Sequence, residues 1–253
     1  MKYAIVLVLV LLPTLAFAGM AHKTKHIGLS KQGIDRLVIR CGAGFLDLNA
    51  VEDLDKIKVT AEIEVEGYKK EDIDNFIEQN VRLTLEKKKN RALLKSEIPD
   101  YPFVEVDARI NLKIEIPKEL DVKITDGSGF LRVQNLIGNL VIDDDTGIIQ
   151  VENVVGEVAV YDGSGKIVIE DIIGNVMVRD GSGTIEMDHI QGDVYVADGS
   201  GALTILHVKG NVTVSDDSGD IDISDVSGTV FIAEMGSGEV NIERIKGKIM
   251  TRE

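Results

Sequence analysis

Tryptophan is absent, and this chain of 253 residues has one cysteine, four prolines, six phenylalanines and five tyrosines. A single Cys excludes an internal disulfide framework. So few aromatics weaken any site that works by stacking on sugars or bases. Positive charge is short as well: 28 Lys+Arg face 43 Asp+Glu, a net charge of −15. Phosphates repel such a surface, which excludes nucleic acid as the default partner and disfavours docking on anionic lipid. After residue 18 no stretch approaches the roughly 20 apolar residues that a membrane-spanning helix needs. What the chain has in quantity is glycine, 25 residues, set among Ile, Val and Leu. That composition points to many turns around an aliphatic core.

Lys2 precedes an apolar run over residues 4–12, then Pro13 and the small-x-small triplet Ala16-Phe17-Ala18. These are the parts of a secretory signal peptide spanning residues 1–18, cleaved before Gly19. No Cys follows the cleavage site. The expected product is exported, periplasmic or extracellular, with no transmembrane span once the signal is removed.

A repeat dominates the rest. Asp126-Gly127-Ser128-Gly129 returns at Asp144, Asp162, Asp180, Asp198 and Asp216, 18 residues apart each time, with a seventh Gly236-Ser237-Gly238 displaced by one residue. A second glycine recurs nine residues after the motif, at Gly138, Gly156, Gly174, Gly192, Gly210, Gly228 and Gly247. Between the glycines the aliphatics fall into five columns; one coil contributes Ile167, Ile169, Ile172, Val176 and Val178. Alternation within each half predicts two short strands per coil, and identical columns predict that coils stack. One coil cannot bury its own apolar face, whereas stacked coils bury a continuous column and pair backbones at about 4.8 Å. The expected fold is all-β, a single-stranded parallel β-helix (β-solenoid) of about seven 18-residue coils over residues 126–253. Hexapeptide-repeat solenoids place an aliphatic every six residues, which the gaps of 2, 3, 4, 2 and 7 here do not. Calcium-binding nonapeptide repeats need an Asp where this chain always has Leu, Ile or Val.

Residues 19–125 are less regular and read as an N-terminal cap with wider first coils. Residues 57–65 alternate as a strand, and residues 69–79 place Ile73, Phe76 and Ile77 at helical spacing. Residues 81–86 and 91–98 flank Lys87-Lys88-Lys89-Asn90 as a hairpin. Cys41 alternates onto the face of Leu37 and Ile39, as a buried small apolar residue does.

An exported chain with Gly44-Phe45-Leu46-Asp47-Leu48, then Ile114-Glu115-Ile116-Pro117, then Asp-Gly-Ser-Gly-x-Leu-x-Val coils resembles the bacterial candidate-adhesin family, exported domains of unknown function. The resemblance covers nearly all of the chain beyond the signal. It implies a single-stranded, right-handed β-helix and brings no catalytic residues with it.

Three columns carry the candidate chemistry. The first is Asp126, Asp144, Asp162, Asp180, Asp198 and Asp216, thickened by Asp145 and Asp217. Carboxylates stacked at coil spacing repel by about 1 kcal/mol per neighbour in water. Either Asx-turn hydrogen bonds or a ladder of Ca²⁺ ions offsets that. The second column includes Asp171, His189, His207 and Asp225, where two imidazoles and two carboxylates suit a transition metal; a polar corner that favours Asn and Asp and tolerates His is the plainer account. The third holds Met177, Tyr195 and Phe231, an outward stripe for a partner unless the N-terminal helix covers it. No nucleophile–base pair or phosphate loop appears, and the short uniform turns build no cleft, so neither an enzyme nor a cofactor is expected. The expectation is an adhesin-like binding or surface-interaction module whose partner is a protein or envelope component. The alternatives are a self-assembling structural solenoid, since open strand edges invite pairing, and a Ca²⁺-binding envelope protein.

Overall fold

A computed structural model describes residues 20–67, 72–99 and 107–252. The signal segment, Gly19, the start of the predicted helix and Val106 therefore lie outside the described residues. Two walls of parallel strands face each other across an aliphatic interior. One wall stacks β2 (Arg36–Arg40), the first part of β8 (Asp121–Gln134) and of β9 (Leu140–Val155), β10 (Val158–Asp162), β12 (Val176–Asp180), β14 (Val194–Asp198), β16 (Val212–Ser218), β18 (Val230–Ser237) and β20 (Ile249–Thr251). The other stacks β3 (Ala43–Val51), the second parts of β8 and β9, β11 (Gly165–Ile173), β13 (Gly183–Ile190), β15 (Gly201–Leu206), β17 (Ile221–Ser224) and β19 (Val240–Glu243). Register repeats every 18 residues, Ile167 opposite Ile185 and Val158 opposite Val176. This is the parallel β-solenoid the columns predict.

The predicted inward positions are the core: Ile167, Ile169, Ile172, Val176 and Val178 are all buried, and so are their counterparts from Leu131 to Ile232. β-branched side chains pack well on such pleated walls. At the Asp-Gly corner the coils approach so closely that only glycine fits. A Cβ on Gly201 would stand 1.6 Å from the carbonyl oxygen of Gly183, and φ there is +141°. The one-residue displacement of the seventh motif is a bulge. Ser215 pairs with Glu234 although Val214 faces Ile232, which leaves Ala233 as the extra residue. Met235 then stands opposite Asp216, and the aspartate column ends there.

The N-terminal part is threaded out of order, which nothing in the spacing predicts. β6 (Arg91–Glu97) pairs with β2, and β2 pairs with β8; β7 (Ala108–Pro117) pairs with β3, and β3 pairs with β8. The coil of residues 36–51 is thus sandwiched between a later coil and the regular array. Arg132 locks it in place with two 3.0 Å bonds to the carboxylate of Asp47. Beyond β7 the wall continues antiparallel through β4 (Lys56–Val65) to β1 (Ala21–Ser30), and beyond β6 through β5 (Arg82–Lys88). The hairpin of β5 and β6 is the predicted one. The helix, α1 (Ile73–Asn80), buries Ile73, Phe76 and Ile77 and packs against β1. It sits at the N-terminal end, away from the stripe of Met177, Tyr195 and Phe231 it was a candidate to cover. Cys41 is half-buried rather than fully buried; its thiol donates to the carbonyl of Thr125 and its pKa is driven far upward by burial and by Asp126.

Candidate functional site

The aspartate column turns inward. Asp126, Asp144, Asp162, Asp180, Asp198 and Asp216 are all buried, while the acids exposed at that corner are Asp145 and Asp217 together with Asp143. One oxygen of each of four closes an Asx-turn: the amides of Ser164, Ser182, Ser200 and Ser218 donate to Asp162, Asp180, Asp198 and Asp216 at 3.1–3.3 Å. Gly127 donates to Asp126 at 2.9 Å. The other oxygen of Asp162, Asp180 and Asp198 is buried without a hydrogen-bond partner, as is one of Asp144. Desolvation and the neighbouring carboxylates raise these acids, Asp126, Asp162 and Asp198 to about 6 and Asp144 to about 7. The turn amides oppose the rise without cancelling it.

The opposite corner is built on left-handed backbone. Asn135, Asn153, Asp171, His189, His207, Asp225 and Arg244 all have φ between +51° and +63°. Asn, Asp and His are the non-glycine residues that most readily adopt this conformation, which accounts for most of the column. Its first members form an amide ladder: Asn153 donates to Asn135 at 2.7 Å, and Asn135 to Asn49 at 2.8 Å. At its far end Arg244 forks onto both oxygens of Asp225 at 2.9 Å and also reaches Glu243. That guanidinium holds the Asp225 carboxyl below its usual range.

Between those ends the two histidines stack, ring centroids 4.7 Å apart and planes 20° apart. Asp188, rather than Asp171 or Asp225, is the carboxylate that joins them. Its oxygens lie 3.0 Å from Nδ1 of His189 and 2.6 Å from Nδ1 of His207. Asp225 is 3.9 Å from Nε2 of His207 and is committed to Arg244. Sequence columns miss Asp188 because it sits one place before the corner. The left-handed residue after it reverses the chain and brings it beneath the histidine of the next coil.

The corner lines a groove of about 590 Å³ with Asp171, Ile173, His189, His207, Lys209, Asp225, Arg244 and Lys246 among its walls. Ile173 is 50% exposed there. The array of residues 126–253 has eight Lys+Arg against 23 Asp+Glu. Three of the eight, Lys209, Arg244 and Lys246, line this one groove. The stripe of Met177 and Tyr195 lies on the first wall, where it lines a smaller depression, of about 490 Å³, with Ala159 and Thr213. A further ladder flanks it: side chains of Asp121, Asn139, Asn175, Asp193 and Asn211 each accept an amide of the next coil at 2.7–3.0 Å. No helix among the described residues is long and apolar enough to cross a membrane.

Comparison with known proteins gives three findings. Residues 50–251 match the family model described as Toastrack DUF4097. No curated protein matches the chain. Among solved structures, the chain is similar to a candidate cell adhesion protein from Clostridium sporogenes, at 15% identity over 91% of this chain and 98% of that one, TM-score 0.35. It is similar to a candidate adhesin from Bacteroides fragilis, at 14% identity over 91% and 97%, TM-score 0.45. A candidate lipid binding protein from Parabacteroides distasonis is 15% identical over 92% and 97%, TM-score 0.44.

Proposed function

The chain belongs to the Toastrack DUF4097 family, and from that premise we propose that it is an exported, non-catalytic β-helix that acts as an adhesin-like binding module, with the corner groove as its contact surface. The observation that carries this reading is the placing of Lys209 and Lys246 beside exposed Ile173 in an otherwise acidic array, with Arg244 at the same corner already paired to Asp225 and Glu243. Elsewhere on the coils a negatively charged partner is repelled; here it meets cations and an apolar contact together. Coil stacking sets Lys209 and Lys246 two coils apart in one column, with Ser227 between them, a spacing of roughly 10 Å that suits an extended envelope component carrying repeated anionic groups. The uniform corners leave the walls free of long loops, as a scaffold for surface contact requires.

The test is retention of the labelled protein on isolated cell envelopes at low salt. Replacing Lys209→Glu and Lys246→Glu together reverses two exposed charges without touching the core, and is expected to lower retention at least fivefold. Retention equal to that of the unaltered protein refutes the groove as the contact surface.

A further inference from the structure

We propose that Asp188, His189 and His207 form a binding site for one divalent transition-metal ion of the zinc class, with one coordination position left open. The two histidines occupy the same place on consecutive coils, so their spacing is set by backbone pairing rather than by side-chain chance. The amide of Ile190 donates to the carbonyl of His207, and that of His207 to Ser224, each at 3.2 Å. Both rings turn Nδ1 onto the one carboxylate, at 3.0 and 2.6 Å. One ligand atom from each of the three residues lies within 4.8 Å of the others.

The two N···O separations are close to what the metal needs. Tetrahedral zinc with bonds of about 2.0–2.1 Å holds its ligand atoms roughly 3.3 Å apart. The two N···O contacts therefore open by less than about 1 Å, through side-chain torsions that the open groove permits. Two imidazoles and one carboxylate suit Zn²⁺, Ni²⁺ or Cu²⁺; Ca²⁺ and Mg²⁺ require shells of oxygen that this corner does not supply. Three protein ligands leave a tetrahedral ion one position short, and two of the three, His189 and His207, line the groove. The cations nearby do not contest the site: Arg244 is committed to Asp225 and Glu243, and Lys209 donates to Gln191. The corner itself has no need of histidine, because Asn serves the same backbone conformation at Asn135 and Asn153. The site stands whether or not the groove is the adhesive surface.

The experiment is calorimetric titration of the purified protein with ZnCl2 in a non-chelating buffer at pH 7.5, with Co²⁺ absorption as the spectroscopic readout and CaCl2 as the contrast. One zinc per chain is expected, with visible Co²⁺ bands of tetrahedral intensity and no comparable Ca²⁺ binding. The variant His189→Asn/His207→Asn places the corner's own preferred residue at both positions, and is expected to keep the wild-type circular dichroism and to lose zinc affinity at least tenfold. If that variant unfolds, Asp188→Asn serves instead, with the same tenfold loss expected. Absence of zinc binding at millimolar metal overturns the proposal, because the three side chains are then only a hydrogen-bonded triad. So does undiminished binding by a folded variant, or Ca²⁺ binding of equal strength.

Discussion

Replacing Asp162→Asn should stabilise the protein at alkaline pH, although Asp162 lies in the most regular motif of the chain. The carboxyl is buried, one oxygen accepts the Ser164 amide at 3.3 Å, and the other has no partner. Burial first, and then the Asp180 charge, raise it to about 6 from 3.8. A raised folded-state pKa fixes the sign. Below about pH 4 the group is protonated in both the folded and unfolded chain, and the stack is uncharged there. As pH climbs through 6 the folded protein is forced to ionise a buried group, and stability falls until the group is fully charged. The rise from 3.8 to about 6 corresponds to roughly 3 kcal/mol. The interior is only two sheets thick, so nearby solvent screens part of that, and about 1–2 kcal/mol is left. Asparagine keeps the turn acceptor and gains an amide that can donate to a neighbouring carboxylate, as Asn153 donates to Asn135 at the other corner. The expected result is a melting temperature about 2–8 °C higher than wild type at pH 8, with the difference shrinking towards zero as pH falls to 4. Thermal melts followed by circular dichroism at both pH values decide it. A variant that melts below wild type by the same margin at pH 8 and pH 4 refutes the reasoning, because the turn hydrogen bond would then outweigh the buried charge.

Two more outcomes are expected. Gly201→Ala drives a methyl group into the carbonyl of Gly183, 1.6 Å away, at a φ that L-residues avoid; it should cost at least about 3 kcal/mol in urea unfolding, and a loss under about 0.5 kcal/mol would contradict the close coil contact. Cys41, its thiol held neutral by burial and by Asp126, should react with a thiol reagent at pH 8 far more slowly in the native protein than in denaturant, and equal rates would contradict the environment described.

Much of the fold was legible because a solenoid writes its contacts into its period. Ile167 and Ile185 are neighbours in space for the same reason that they are 18 residues apart in sequence. The candidate site was legible only in part. The histidine column marked the place, yet it named Asp171 and Asp225 as partners, whereas the carboxylate on the rings belongs to Asp188, 19 residues from His207. A column read at constant spacing does not see a side chain one step off it, and only the reversal at a left-handed residue brings that side chain into line. The aspartate column was legible as turn chemistry; that its second oxygens lie buried follows from how tightly the corners stack.

The sequence by itself determined the period, the inward aliphatic columns, the glycine corners and the acidity of the array, because each follows from local alternation and from a repeat that recurs in register. The tertiary structure alone decided which coil lies beside which. Residues 36–51 pair with the strands of residues 91–97 and 108–117 and with residues 121–134, an interleaving set by long-range backbone pairing that no local pattern encodes. It also decided how Asp188, His189 and His207 meet, because that meeting depends on the direction in which two successive corners turn.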